Sequence, residues 1–309
     1  QVFMSKIAFI YPGQGAQKAG MGADFYENSA IAGKMFDKAG EVLQLDMKAL
    51  CFEENDKLDV TEYTQAALVT TCLAMTRVAE DKGLKPDITA GLSLGEYCAI
   101  AAAGGMDDMD AIRLVRKRGI LMQNTVPAGE GAMCAVMAMD ASAIEKVIET
   151  IDGVTIANYN CPGQIVITGR TEAVGIAAEK LKEAGAKRAI MLNVSGPFHS
   201  PLLKKAGEEL AEELKNTALH TLQIPYVTNV TAEKVDDISA TRELLAEQVS
   251  SPVRWMQSMA NMIADGVDTF VEIGPGRTLA GFMKKINRDV KVYNISAWED
   301  IEKVVGELC

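Results

Sequence analysis

Residues 91–95, Gly-Leu-Ser-Leu-Gly, fit G-x-S-x-G. That pattern presents a serine on a sharp strand-to-helix turn with its hydroxyl exposed. The surroundings agree, because an apolar run leads into the motif and a small-residue helical stretch leads out. The plain alternative is a loop serine flanked by glycines. A serine hydroxyl is a poor nucleophile without a base, and the chain offers only two histidines. His220 lies in TALHTLQIP, between a helix and a strand, with nothing convergent around it. His199 lies in SGPFHSP, on a loop between a strand and the next helix, where rigid flanks suit a general base. Ser93 and His199 are therefore the expected catalytic pair.

A tetrahedral oxyanion needs two aimed N–H donors. The residue after the nucleophile, Leu94, supplies one at the start of its helix. Pro12-Gly13-Gln14-Gly15 follows the first strand with the needed backbone freedom, so the N–H of Gln14 or Gly15 is the second candidate. A dinucleotide loop fits this segment poorly, since Lys18 stands where a third glycine belongs, and no Walker A loop is present. Gly274-Pro275-Gly276 reads as a tight turn. No Asp or Glu between Ser93 and His199 sits in a loop suited to completing a triad. His199 is then expected to be oriented by a backbone carbonyl or an amide side chain.

One further residue stands out on a helical wheel. At 100° per residue, Ala111, Val115, Arg118 and Met122 share a narrow stripe, whereas Arg113, Arg116 and Lys117 fall on other faces. Arg118 thus points toward the protein, and a buried guanidinium needs an anionic partner. From the residues alone, a structural carboxylate or a substrate carboxylate would serve equally.

The elements that must position these residues alternate between strand and helix. Strands are expected at 6–11 and 87–92, and helices at 64–82, 94–103 and 107–124, the last with Asp107 as N-cap. An amphipathic stretch separates the first strand from the first long helix. Such alternation implies a mainly parallel sheet covered on both faces. After Pro127 the pattern changes: strand 132–139, helix 142–150, strands 154–159 and 164–168, helix 172–184, strand 188–194. That βαββαβ order is the split unit of a ferredoxin-like module. The expected organisation is a hydrolase-like α/β domain over 4–127 and 198–309, with an inserted ferredoxin-like α+β subdomain over 128–197. The larger domain resumes with a helix at 202–215, a strand at 224–229, a helix at 253–263, a strand at 269–273 and a helix at 279–286.

Composition narrows the function. With 309 residues, 48% of them apolar, the chain can bury a sizeable core. No apolar run approaches the roughly 18 residues of a membrane span, and no signal peptide is expected ahead of Pro12. Met4 reads as the natural start, and a cytoplasmic location is expected. A net charge of −11 opposes a nucleic-acid-binding surface. The six cysteines show no close spacing and only two histidines accompany them, so no metal site is expected.

The motifs together resemble the malonyl-CoA:acyl-carrier-protein transacylases of bacterial fatty-acid synthesis. The stretches that carry the resemblance are PGQGAQ (12–17), GLSLGEY (91–97), RGILMQ (118–123), NCPGQIVITG (160–169), GPFHS (196–200), QVSSPVRW (248–255) and EIGPGRTL (272–279). They span nearly the whole chain in order. The resemblance implies Ser93 as the acylated nucleophile, His199 as its base, and the Gln14 and Leu94 amides as oxyanion hole. It also implies Arg118 as clamp for the malonyl carboxylate and the Gln248 carbonyl as the group that orients His199. Leu92 departs from the family, which usually has histidine there, and the departure bears on the acyl pocket. Asn160 and Phe198 are further pocket candidates, and Phe198 resembles malonyl-selective members.

The expected reaction is ping-pong transfer of malonyl from malonyl-CoA to the phosphopantetheine thiol of acyl carrier protein. No cofactor is expected, the CoA thioester being substrate. Two rivals are a serine esterase or thioesterase, which would want a triad acid, and a non-catalytic carrier-protein-binding subunit. Carrier proteins are acidic, so docking should use a basic patch. Lys284, Lys285 and Arg288, with Lys187 and Arg188, are the candidates. A monomer is the default expectation.

Overall fold

The computed structural model describes residues 4–194 and 196–309; Gln1–Phe3, ahead of the expected start at Met4, and Ser195 lie outside the described residues. The chain runs β1 (Ile7–Tyr11), α1 (Ala23–Asn28), α2 (Ala30–Leu43), α3 (Met47–Phe52), α4 (Thr61–Asp81), β2 (Ile88–Gly91), α5 (Gly95–Ala102) and α6 (Asp108–Asn124). It continues through β3 (Gly131–Met137), α7 (Ala141–Ile148), β4 (Val154–Cys161), β5 (Gln164–Arg170), α8 (Thr171–Glu183) and β6 (Arg188–Met191). The last part holds α9 (Lys204–Lys215), β7 (Tyr226–Val227), β8 (Lys234–Val235), α10 (Thr241–Gln248), α11 (Trp255–Ala264), β9 (Thr269–Ile273), α12 (Thr278–Ile286), β10 (Lys291–Ile295) and α13 (Trp298–Leu308).

Six strands form the larger sheet in the order β10-β9-β1-β2-β7-β8. All pairings are parallel except β7 with β8. The apolar runs of β1, β2 and β9 are buried on both faces, as a parallel sheet under two helical layers requires. One layer carries α2, α4, α5 and α6; the other packs Trp255, Met259 and Met262 of α11 and Phe282 and Met283 of α12 beneath β1, β2 and β9. Helix α4 is buried along most of its length. Among the described residues, no helix is long and apolar enough to cross a membrane.

The smaller sheet is antiparallel, ordered β4-β5-β3-β6, which is the ferredoxin-like topology expected from the βαββαβ order. One face packs Ile144, Val174, Ala177 and Leu181 of α7 and α8 against Val136, Ile156 and Ile167. The other face contributes Met133, Ala135, Ala157 and Val166 to the main core. A single bridge pairs Asn158 of β4 with Val253, through the Tyr159 N–H to the Val253 carbonyl and the Val253 N–H to the Ala157 carbonyl. It fixes β4 against the segment that leads into α11.

Several elements differ from expectation. The amphipathic stretch after β1 is three helices, α1–α3. Strand β6 stops at Met191 rather than at 194. Strand β7 is two residues instead of 224–229; beyond it Asn229 turns its backbone N–H to Glu96 and its side chain to the Ser93 N–H and the Gly91 carbonyl. Asp107 does occupy the N-cap position of α6, yet its side chain makes no capping bond and turns to His220. The structure adds β8, α10, β10 and α13, which the sequence pattern does not predict.

Candidate active site

The serine motif sits where β2 passes into α5. Ser93 has φ 50°, a left-handed conformation costly for a residue with a Cβ. The flanking glycines follow from sterics. A Cβ on Gly91 would lie 1.9 Å from the Gly95 carbonyl oxygen, and one on Gly95 would lie 2.4 Å from the Tyr11 carbonyl oxygen. The elbow therefore closes only with both side chains absent.

His199 also has positive φ, 61°, and is buried. Its Nε2 is 2.7 Å from Ser93 Oγ and its Nδ1 is 2.9 Å from the Gln248 carbonyl oxygen. A carbonyl only accepts, so Nδ1 carries the proton and Nε2 is free to accept from the serine hydroxyl. Burial, with the Arg118 charge adding to it, pushes the imidazole down from 6.5 to about 4. The ring is therefore a neutral base throughout the physiological range.

Arg118 is almost fully buried on α6, as its wheel position predicts. Its Nη1 donates to Gln65 Oε1 at 2.9 Å, and Nη2 donates to Gln248 Oε1 at 3.0 Å and Ser93 Oγ at 3.2 Å. The guanidinium face lies over the Tyr97 ring, with 5.7 Å between Cζ and the ring centroid. Every hydrogen-bond acceptor it uses is neutral, its Nε has no partner, and no carboxylate forms an ion pair with it among the described residues. Burial works against the charge, but guanidinium stays protonated in proteins.

A cavity of about 220 Å³ opens beside these groups, lined among others by Gln14, Leu92, Ser93, Leu94, Arg118, Asn160, Phe198 and His199. Gln14 and Leu94 both line it, and neither backbone N–H donates to another group among the described residues. The Gln14 side chain is tied to Thr61 Oγ1 at 2.9 Å. Leu92 and Phe198 give the wall apolar surface; Asn160 Oδ1 is buried without a partner.

The comparisons bear on this geometry. Residues 8–301 match the acyl transferase domain family. The chain belongs to that family. It is 47% identical over 310 residues to the malonyl CoA-acyl carrier protein transacylase of Bacillus subtilis, covering 99% of this chain and 98% of the relative. The solved malonyl CoA-acyl carrier protein transacylase of Clostridium perfringens superposes with a TM-score of 0.93 at 42% identity, covering 98% and 97% of the two chains. A further neighbour is described as a type II PKS acyl-carrier protein in complex with its malonyl-transacylase, with a TM-score of 0.95 at 37% identity, covering 98% and 100%.

In this acyltransferase, four features escape a reading of the sequence. Gln65 of α4, Glu96 of α5, Asn229 after β7 and the side chain of Gln248 are buried polar groups around the serine. Asn229 Oδ1 accepts from the Ser93 N–H at 2.7 Å, and its Nδ2 donates to the Gly91 carbonyl at 2.7 Å. Glu96 fills no triad position, since it bonds Asn229 and Gln248 rather than His199. A polar pair at the carboxyl end of a parallel strand, Thr228-Asn229, was the available signal for the third. His220 is half-exposed and far from this site in the fold. It lines a different cleft with Lys85 and Pro86, at the amino end of β2, and, contrary to the expectation of nothing convergent around it, Asp107 Oδ1 lies 3.1 Å from its Nε2. Gly274-Pro275-Gly276 forms a bend after β9 rather than the expected hydrogen-bonded tight turn, and Glu272 accepts the Leu279 and Ala280 amides at the start of α12.

The basic residues separate into two sets. Lys187, Arg188 and Lys285 line a cleft of about 640 Å³ between the small sheet and α12, and Thr278 and Phe282 are shared between that cleft and the serine cavity. Lys284 and Arg288 do not line it; Arg288 Nε turns back to the Lys284 carbonyl.

Proposed function

We propose that this acyltransferase moves the malonyl group of malonyl-CoA to the phosphopantetheine thiol of acyl carrier protein through a malonyl-Ser93 intermediate. The observation that carries the reading is Arg118, a buried guanidinium beside the serine hydroxyl to which, among the described residues, no carboxylate is hydrogen-bonded. A cation held this way is poised for an anionic substrate group, and the planar fork accepts a carboxylate through two parallel bonds.

In the first half-reaction His199 Nε2 takes the Ser93 proton while Oγ attacks the thioester carbonyl. The Gln14 and Leu94 amides hold the oxyanion that forms. The tetrahedral intermediate then expels the CoA thiolate, which receives the proton from His199, and malonyl-Ser93 remains. In the second half the carrier thiol gives its proton to His199, attacks the ester, and leaves as malonyl thioester with Ser93 reprotonated. Thioester, ester and thioester are close in energy, and no step calls for a metal or nucleotide. Arg118 also donates to Ser93 Oγ, so the hydroxyl is aligned between its base and the carboxylate clamp. The shared boundary of the basic cleft and the serine cavity supports docking of an acidic carrier domain there, with 128–197 acting as an inserted subdomain that forms one wall.

Intact mass spectrometry after mixing with malonyl-CoA tests the proposal. One malonyl unit on Ser93, discharged by the carrier protein rather than by water, is the expected result. Rapid release of free malonate would instead indicate a thioesterase, and no adduct would reject covalent catalysis.

A further inference from the structure

Outside the proton-transfer pair, one buried ionisable side chain gathers the site together. Glu96 is wholly inaccessible, and its hydrogen bonds among the described residues go to Asn229, Gln248 and Thr228 rather than to His199 or the Arg118 guanidinium. Its Oε1 accepts from the Asn229 backbone N–H at 2.8 Å and from Gln248 Nε2 at 3.2 Å. Its Oε2 accepts from Thr228 Oγ1 at 3.4 Å. The two residues it holds are those that grip the nucleophile. Asn229 binds the Ser93 N–H and the Gly91 carbonyl, while Gln248 Nε2 donates to the Ser93 carbonyl at 3.0 Å. The same Gln248 orients His199 through its carbonyl and binds Arg118 through Oε1. Both backbone polar groups of a strained residue are thus fixed by side-chain amides, and one carboxylate holds both residues, Asn229 through its backbone N–H and Gln248 through its Nε2.

We propose that Glu96 is a positioning residue for serine acylation, its carboxylate bracing Asn229 and Gln248 so that the Ser93 elbow and the His199 orientation are held together. The inference rests on Ser93 as the acylated residue. Hydrogen bonds to an ionised acceptor are roughly twice as strong as those to a neutral one, so the brace is tighter when Glu96 is charged. Burial holds this carboxyl up at about 7, against the pull of its bonds to Asn229 and Gln248, of the Arg118 charge and of Thr228. The other titratable groups facing it are Tyr97 on α5 and Tyr226 on β7, both pushed far above neutrality by burial, and His199 across the Gln248 carbonyl. Near neutral pH only Glu96 changes charge in this cluster.

The test is the single-turnover rate of acylation by malonyl-CoA, measured on the full chain from pH 5.5 to 8.5. Wild type should rise about 3–10-fold through an inflection near 7 as the brace ionises. Glu96→Gln keeps the shape and an accepting oxygen, and resembles the protonated form. It should stay at the wild-type low-pH rate across the range, with KM for malonyl-CoA unchanged. Glu96→Ala opens the brace and should fall further in rate than the Gln variant. An inflection retained in Glu96→Gln, wild-type rates at high pH in that variant, or a loss confined to KM would each overturn the proposal. If Glu96→Ala does not fold, the Gln profile decides alone. Absence of any Ser93 adduct on wild type would reject the functional reading instead, whereas a wild-type adduct with an unaltered Gln profile would reject only the brace.

Discussion

Replacing Arg118 by alanine separates a substrate clamp from a structural cation. The guanidinium is buried, is hydrogen-bonded only to Gln65, Gln248 and Ser93, and leaves Nε unpaired. With malonyl-CoA the variant strands the substrate carboxylate in a buried site, and breaking a buried charge pair costs about 3–5 kcal/mol. At about 1.4 kcal/mol per decade, kcat/KM for malonyl-CoA should fall roughly 10²–10⁴-fold. Acetyl-CoA has no carboxylate and loses only the bond from Nη2 to Ser93 Oγ, worth about 1 kcal/mol, so its loss should stay within about tenfold. Arg118→Lys should recover part of the malonyl rate, since an ammonium cannot form the fork. Quenched single turnovers followed by intact mass give both rates on the same protein. Equal losses for both thioesters would show that Arg118 supports the fold and that the carboxylate is bound elsewhere.

Ser93→Ala should eliminate the malonyl adduct in mass spectra, and His199→Ala should slow acylation roughly 10²–10⁴-fold; greater damage from His220→Ala would reassign the base. The depressed His199 pKa sets a stability slope. The unfolded chain takes up this proton near 6.5 and the folded one only near about 4, so acidification through that window destabilises the wild type. The raised Glu96 pKa acts with the opposite sign between 7 and 4.5. Relative to wild type, His199→Ala should therefore gain about 2 kcal/mol in urea unfolding between pH 7 and pH 5, and a constant difference would contradict a buried neutral imidazole. Reversing charge at Arg188 and Lys285 should weaken transfer to the carrier protein and leave acylation by malonyl-CoA intact, whereas equal effects on both half-reactions would place docking elsewhere. Lys284, which lies outside the basic cleft, serves as the comparison and should matter less.

Much of the site was legible because its determinants are local. The elbow needs two glycines around one serine for steric reasons that act within five residues, so Gly91, Ser93 and Gly95 announce the turn in the primary structure. Arg118 announces its direction by helical periodicity alone, and the order of strands and helices between residues 131 and 191 names the topology of the smaller sheet. The quoted motifs also carried the family resemblance, which the similarity over residues 8–301 establishes. What the sequence left open is what depends on segments meeting across long separations. Asn229 lies 136 residues from Ser93 and Gln248 lies 155 residues away, yet both close on its backbone. Whether Arg118 meets a protein carboxylate was undecidable from α6, since the answer depends on what α4 and α10 present to it; they present the amides of Gln65 and Gln248. The sequence predicts too long a β7 because its residues are apolar enough for a strand, while the bonds Asn229 makes to Glu96, Ser93 and Gly91 take it out of the sheet. Spacing along the chain pointed to the candidate nucleophile, its candidate base and the direction of the arginine; only the packed fold decided which neutral groups would surround that charge and which buried carboxylate would hold them.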